Sequence, residues 1–186
     1  MTRYFLTNVN ELLAAWSDRF HDHNTSPGKM TAGELGHVNT EGKPEARAHT
    51  FSRYNPLFRQ SLEPGIASLV IALINCFDCV TYSSCQGHTD EDGKRIADLR
   101  HVGIIPRNDQ EKRTLTCELT TLLTQVHAGW AGKTKLDLVV TQIESDSKSF
   151  ECLDIVFDGN LDDPNAYFSE SEALSNKMIA ILWPDL

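Results

Sequence analysis

Apolar residues fall at helical spacing in four places along the chain, and they alternate or cluster as strands in the stretches between. The first stripe is Leu12, Leu13, Trp16 and Phe20, with Asn8 placed to cap and Glu11 three residues on, as in a capping box. The second, Ile66, Leu69, Val70, Leu73 and Ile74, opens near Pro64, which suits a first helical turn, and ends near Cys76. The third lies in NDQEKRTLTCELTTLLTQVHAGW and turns Leu115, Leu119, Leu122, Leu123 and Val126 inward. A capping box from Ser169 to Glu172 opens the last helix, which runs through Ile179 to Trp183 and stops at Pro184.

Four segments read as strands. DCVTYSS and IADLRHVGIIP flank the turn GHTDEDGK and are expected to pair, and KLDLVVTQIES and FECLDIVFDG form a hairpin across DSKS. The order after the N-terminal helical part is therefore helix, then strand, strand, helix twice over. That order predicts one α+β domain over residues 1–186, a mainly antiparallel sheet covered by helices. The stretch 24–49 breaks the pattern with four glycines, two prolines and few large apolar groups, and is expected to be a flexible loop or flap.

Composition narrows the function classes. An apolar fraction of 40% and a charged fraction of 23% are those of a globular protein. No apolar run approaches the roughly 20 residues needed to cross a bilayer, so no membrane partner is expected. The start, MTRYFLTNVNELL, lacks the apolar core of a signal peptide, and five cysteines in a chain with ample core residues read as reduced thiols, both pointing to a cytoplasmic protein. A net charge of −9 disfavours nucleic acid held chiefly through its phosphates. Lys94, Arg95, Arg100, Arg107, Lys112 and Arg113 cluster, but Glu91, Asp92, Asp98, Asp109 and Glu111 are interleaved with them, as on an ordinary solvated face.

The densest chemistry sits in LINCFDCVTYSSCQGH, from Leu73 to His88. As a metal motif it is C-x2-C-x5-C-x2-H, formed by Cys76, Cys79, Cys85 and His88. An extended chain between Cys79 and Cys85 would hold the two pairs apart, so the spacing argues against zinc and for Cys76 and Cys79 as buried packing residues. As a catalytic motif, Cys85 follows a strand, beside Ser83, Ser84 and Gly87, with His88 or His101 available as a base. As a binding turn, Gly87 allows a tight bend whose hydroxyls and backbone N–H groups could face a polar or anionic ligand.

The stretch IN-x4-VTYSSCQGH resembles the signature of the wybutosine-synthesising tRNA methyltransferase family. Ile74 and Asn75 match its helix end, and Thr81, Ser83, Ser84, Cys85 and Gly87 match its T-x-S-S-C-S-G-R motif. Gln86 stands where that family has serine, and His88 where it has arginine. The resemblance is local to this stretch. It implies an α+β fold, S-adenosylmethionine as cofactor and a nucleobase as methyl acceptor, with the motif lining the site.

In the next strand Arg100 and His101 interrupt an apolar segment. Adjacent strand residues point to opposite faces, so only one of the two is expected to join the motif. Arg100 could hold a carboxylate or phosphate, and His101 could titrate near neutral pH. His21 and His23 do not share a helix side, while Cys117, Cys152, Trp130 and Trp183 read as packing residues.

What the resemblance implies is a small enzyme similar to the wybutosine-type methyltransferases, acting on a nucleobase or nucleotide-like substrate. Its catalytic candidates are Cys85, His88 and His101, and its ligand-binding candidates Ser83, Ser84, Gly87 and Arg100. A non-catalytic subunit that binds a small molecule or a protein partner through the same turn is the alternative, and a zinc-stabilised interaction module the second.

Overall fold

In the computed structural model, residues 3–5, 9–20, 38–39, 52–55, 58–59, 62–145 and 147–184 are described. Apart from 38–39, the stretch 24–49 lies outside the described residues, as do Asn8, His21 and His23, so the readings placed on them are not addressed.

The helices form where the apolar stripes lie, and local chemistry sets their ends. Helix α1 is Val9–Trp16, α2 Pro64–Phe77, α3 Asp109–His127 and α4 Pro164–Leu182. Pro64 opens α2 and Asp78 closes it in the left-handed conformation, with φ 50°. Asn108 caps α3 by accepting from the Glu111 N–H at 2.9 Å, with Asp109 and Glu111 in the first turn, where negative charge suits the helix dipole.

Two helix boundaries differ from expectation. The last helix begins earlier, because Asp163 caps it by accepting from the Ala166 N–H at 3.1 Å and Pro164 takes the first turn. Ser169 therefore lies inside α4 and caps nothing. Helix α1 ends at Trp16, and Phe20, expected on its apolar face, is 93% exposed.

The strands are β1 (Arg3–Phe5), β2 (Val38–Asn39), β3 (Thr81–Cys85), β4 (His88–Thr89), β5 (Ile96–Asp98), β6 (His101–Ile104), β7 (Lys135–Ser145) and β8 (Lys148–Asp158). Six of them make one sheet in the order β2-β1-β7-β8-β6-β3, and β4 pairs with β5 in a small second sheet. Among the described residues every strand pairing is antiparallel except β1 with β7. The fold is α+β, a mainly antiparallel sheet with helices, and the predicted order from α2 to α4 is the observed one, with β4–β5 added inside the first strand pair.

One apolar core joins sheet and helices. Helix α4 packs against both α2 and α3, while α2 also meets β3 and α3 meets β7. The five apolar residues predicted for each of α2 and α3 are all buried. Strand β8 is central and is buried on both faces: Leu153, Ile155 and Phe157 alternate with Cys152 and Asp154, all 0% exposed. A carboxylate at the centre of an apolar sheet needs partners, and it has them. Tyr82 Oη donates to Asp154 Oδ1 at 2.6 Å, and Thr141 Oγ1 donates to Oδ2 at 3.2 Å.

Candidate functional site

The site grows out of an irregularity in β3. The register with β6 shifts between Thr81 and Ser83, a bulge of the kind that bends a strand and re-aims its side chains. Gly103 makes the bulge feasible. A Cβ there would lie 2.6 Å from the Tyr82 ring, so its absence lets Tyr82 cross β6 and reach Asp154. Burial and the neighbouring Asp154 push the Tyr82 phenol far above its ordinary value, which keeps it a hydrogen-bond donor.

Beyond the bulge, Ser83 Oγ lies 3.0 Å from His101 Nε2. His101 Nδ1 is 3.1 Å from the Leu99 carbonyl, which can only accept. That bond places the ring proton on Nδ1, and a neutral His101 then accepts the Ser83 hydroxyl proton at Nε2. Ser84 is half-buried, and its hydroxyl has no hydrogen-bond partner among the described residues.

The turn itself is tied down from several sides. Gly87 has φ +90°, and a Cβ there would meet Phe168 Cε1 at 3.2 Å and the Arg100 nitrogen at 3.3 Å. Glycine is required on both grounds. The Gln86 side chain reaches back to the start of α2, where its Oε1 accepts from the Gly65 N–H at 3.0 Å. Glu63, at the N-cap position, makes no capping bond and turns instead to the motif. Its Oε2 accepts from the Gln86 N–H at 2.7 Å, and its Oε1 lies 2.9 Å from His88 Nε2. Cys85 completes this group: donor atoms of Glu63, Cys85 and His88 all lie within 4.8 Å of one another.

Arg100 holds the turn from below. Its Nε donates to the Gln86 carbonyl at 3.1 Å, and its terminal nitrogen donates to Glu172 at 3.1 Å and Ser175 at 3.0 Å. Its backbone N–H donates to Tyr167 Oη at 2.7 Å, and that hydroxyl donates to the Phe157 carbonyl at 3.0 Å. The side chain is 5% exposed.

Several expectations change in this light. Arg100 and His101 both reach the motif, because Arg100 precedes β6 and so escapes strand alternation. Arg100 binds the turn from inside rather than presenting its charge outward. The turn's N–H groups do not form an anion cradle, since Gln86 N–H goes to Glu63 and Gly87 N–H to Cys85 Sγ at 3.3 Å.

The cysteines divide differently as well. Burial, with the charges of Glu63 and Asp98, pushes the Cys85 thiol up to about 11, so near neutral pH it is protonated and not a poised nucleophile. His101 is the register partner of Cys85, yet its ring bonds to Ser83. The C-x2-C-x5-C-x2-H set is split: exposed Cys76 bonds the Leu182 carbonyl, and Cys79 is wholly buried. Cys117, expected to be packed, is exposed, whereas Cys152 is buried.

Glu63 and Asp154 were not legible as site or support residues in the motif itself. The signal for Glu63 is an acid directly before the Pro64 that opens α2; for Asp154, it is a carboxylate inside an apolar strand.

Fold and site together define an α+β protein whose polar groups gather at the end of an edge strand, on a turn braced by two helices. Comparison with family models, curated proteins and solved structures finds no match to this chain.

Proposed function

We propose that the protein is a small enzyme acting on a nucleobase or nucleotide-like substrate at the end of β3, with the Ser83–His101 pair accepting a proton from it. One observation carries this reading: the 3.0 Å bond from Ser83 to a ring whose other nitrogen is fixed by the Leu99 carbonyl. An imidazole oriented in this way is suited to general-base work, and the serine hydroxyl extends its reach. Ser83 gives its proton to His101 Nε2 as it takes one from the substrate.

The Ser83 hydroxyl and the His101 ring between them offer both a donor and an acceptor, which suits the mixed edge of a base better than an all-acceptor phosphate. The net charge of −9 favours a small nucleotide-like molecule over a long polyanion.

The T-x-S-S-C resemblance supports S-adenosylmethionine as the second substrate, and the Asp98 carboxylate near Cys85 suits its sulfonium charge. When bound, it would supply an electrophilic methyl group. The test is transfer of labelled methyl to a panel of nucleosides and nucleotides. Incorporation is expected, with Ser83→Ala and His101→Gln lowering the rate by roughly a hundredfold. Millimolar S-adenosylmethionine should also raise the melting temperature.

A non-catalytic ligand-binding subunit is the second reading. It is favoured by Cys85, the motif's best nucleophile, being held as a neutral thiol. Under it, a nucleotide raises the melting temperature and no methyl is transferred.

A further inference from the structure

We infer that Glu63, Cys85 and His88 form a binding site for a single borderline-soft divalent metal ion of the zinc class. The inference does not rest on the proposed enzymatic activity, whose proton acceptor is the separate Ser83–His101 pair.

Three different elements deliver the three side chains: Glu63 from the start of α2, Cys85 from the end of β3 and His88 from β4. Carboxylate, thiolate and imidazole are the donor types zinc takes. Donor atoms around a four-coordinate zinc lie roughly 3.3–3.8 Å apart, given bonds of about 2.0–2.3 Å. Here the donors fall within 4.8 Å of one another, and His88 Nε2 and Glu63 Oε1 stand at 2.9 Å. Small side-chain shifts, opening one pair and closing the others, therefore produce the geometry.

The surroundings are those of a built site. Helix N-caps favour Ser, Thr, Asp and Asn, whereas Glu63 sits at this N-cap and caps nothing. Gln86 supplies the missing acceptor from across the turn, to the Gly65 N–H, and so leaves the Glu63 carboxylate to face Cys85 and His88. A Cβ at position 65 would come within 2.8 Å of that Gln86 oxygen, so the exchange depends on glycine there. Outside the ligands, Gln86 N–H holds Glu63 Oε2 and Gly87 N–H points at Cys85 Sγ, the orienting contacts typical around metal ligands. The N–H directed at sulfur stabilises a thiolate once the metal has displaced its proton.

Binding balances simply. The Cys85 thiol loses a proton to solvent as its sulfur bonds the ion, Glu63 binds as the carboxylate, and His88 binds as neutral imidazole with its proton on the other ring nitrogen. His88 is 45% exposed and Glu63 21%, so three protein ligands leave a fourth position open to water or a substrate atom.

The experiment titrates the metal-free full chain with cobalt(II) and follows thiolate-to-metal charge transfer in the near ultraviolet, then displaces cobalt with zinc. Saturation at about one equivalent is expected. Cys85→Ser should remove the charge-transfer band, while Glu63→Gln and His88→Gln weaken binding by at least about tenfold. The exposed thiols give the controls, so Cys76→Ser and Cys117→Ser should bind as the parent does. His88 is exposed, so its variant tests the site even if Cys85→Ser fails to fold. Absence of the band, undiminished binding in His88→Gln, or a band lost with Cys76 or Cys117 and kept without Cys85 would overturn the inference.

Discussion

The two hairpins of the main sheet are built to different standards. Strands β7 and β8 pair without interruption from Lys135↔Asp158 to Ser145↔Lys148. The β3–β6 pair is short, shifts register between Thr81 and Ser83, and continues into β4–β5, where the register shifts again at His88. Ser83, Cys85, His88 and His101 all lie on the irregular hairpin or its extension.

The regular hairpin supplies the bracing. Asp154, itself held by Thr141, receives Tyr82, and the Phe157 carbonyl anchors the Tyr167 hydroxyl that holds Arg100. Regular pairing satisfies backbone groups and leaves little freedom to aim a side chain, whereas a bulge spends pairing to do so. The difference teaches that the candidate site is a local departure from regularity, made tolerable by a neighbour that does not depart.

That relation is most sharply broken at Gly103. A valine there would drive into the Tyr82 ring, since even a Cβ falls 2.6 Å from it and 2.9 Å from Asp154 Oδ1. The bulge must shift and the buried Tyr82–Asp154 bond must open. We expect a loss of about 3 kcal/mol or more, read by urea denaturation, from overpacking and an unpaired buried polar group together. A loss under about 1 kcal/mol would mean that β3 does not lean on β8 in this way.

The turn gives a smaller effect and a sharper contrast. Gly87→Ala places a side chain at φ +90° against Phe168 and should cost about 1–3 kcal/mol. Ser84→Ala and His88→Ala, at half-buried and exposed positions, should each stay within about 1 kcal/mol while removing ligand binding or activity. If the Ser84 and His88 variants unfold the protein, the turn is a structural element and not a site.

The same contrast explains what the sequence disclosed. Helix α3 was readable from periodicity because it follows one pattern along its length, and Leu115 to Val126 went inward as predicted; β7 was readable as a strand although its alternation breaks at Val139 and Val140, both exposed. Strand β8 was legible too, although it begins at Lys148, because Ser147 turns the chain at φ 60° and the connection is shorter than DSKS. The motif SSCQGH marked the candidate site. Its partners were not visible, because Glu63 is brought to Cys85 by the packing of α2 on β3, a contact no local pattern encodes. The internal bonds of Arg100 were hidden for a related reason: a lone charge in an apolar segment reads alike whether it meets a ligand or an internal carbonyl.

The smallest expected effect concerns pH, and it falls on the irregular hairpin. Cys79, at the entry to β3, is wholly buried, and desolvation pushes its thiol from an ordinary value of 9.0 up to about 12. Asp78 and Glu111 add to the shift and Arg107 opposes it. Between pH 9 and about 12 the unfolded chain releases this proton while the folded one keeps it, so the unfolded state binds fewer protons. Stability from this group is therefore complete below pH 9 and declines as pH rises through that window. Cys85, raised to about 11 by burial, acts in the same direction on the same hairpin. Urea denaturation at pH 8 and pH 10 should show a decline of about 1 kcal/mol attributable to Cys79. Cys79→Ala, compared with its own value at pH 8, should decline less by about that amount. An equal decline in parent and variant would place the alkaline sensitivity elsewhere and remove the thiols from the account of this hairpin.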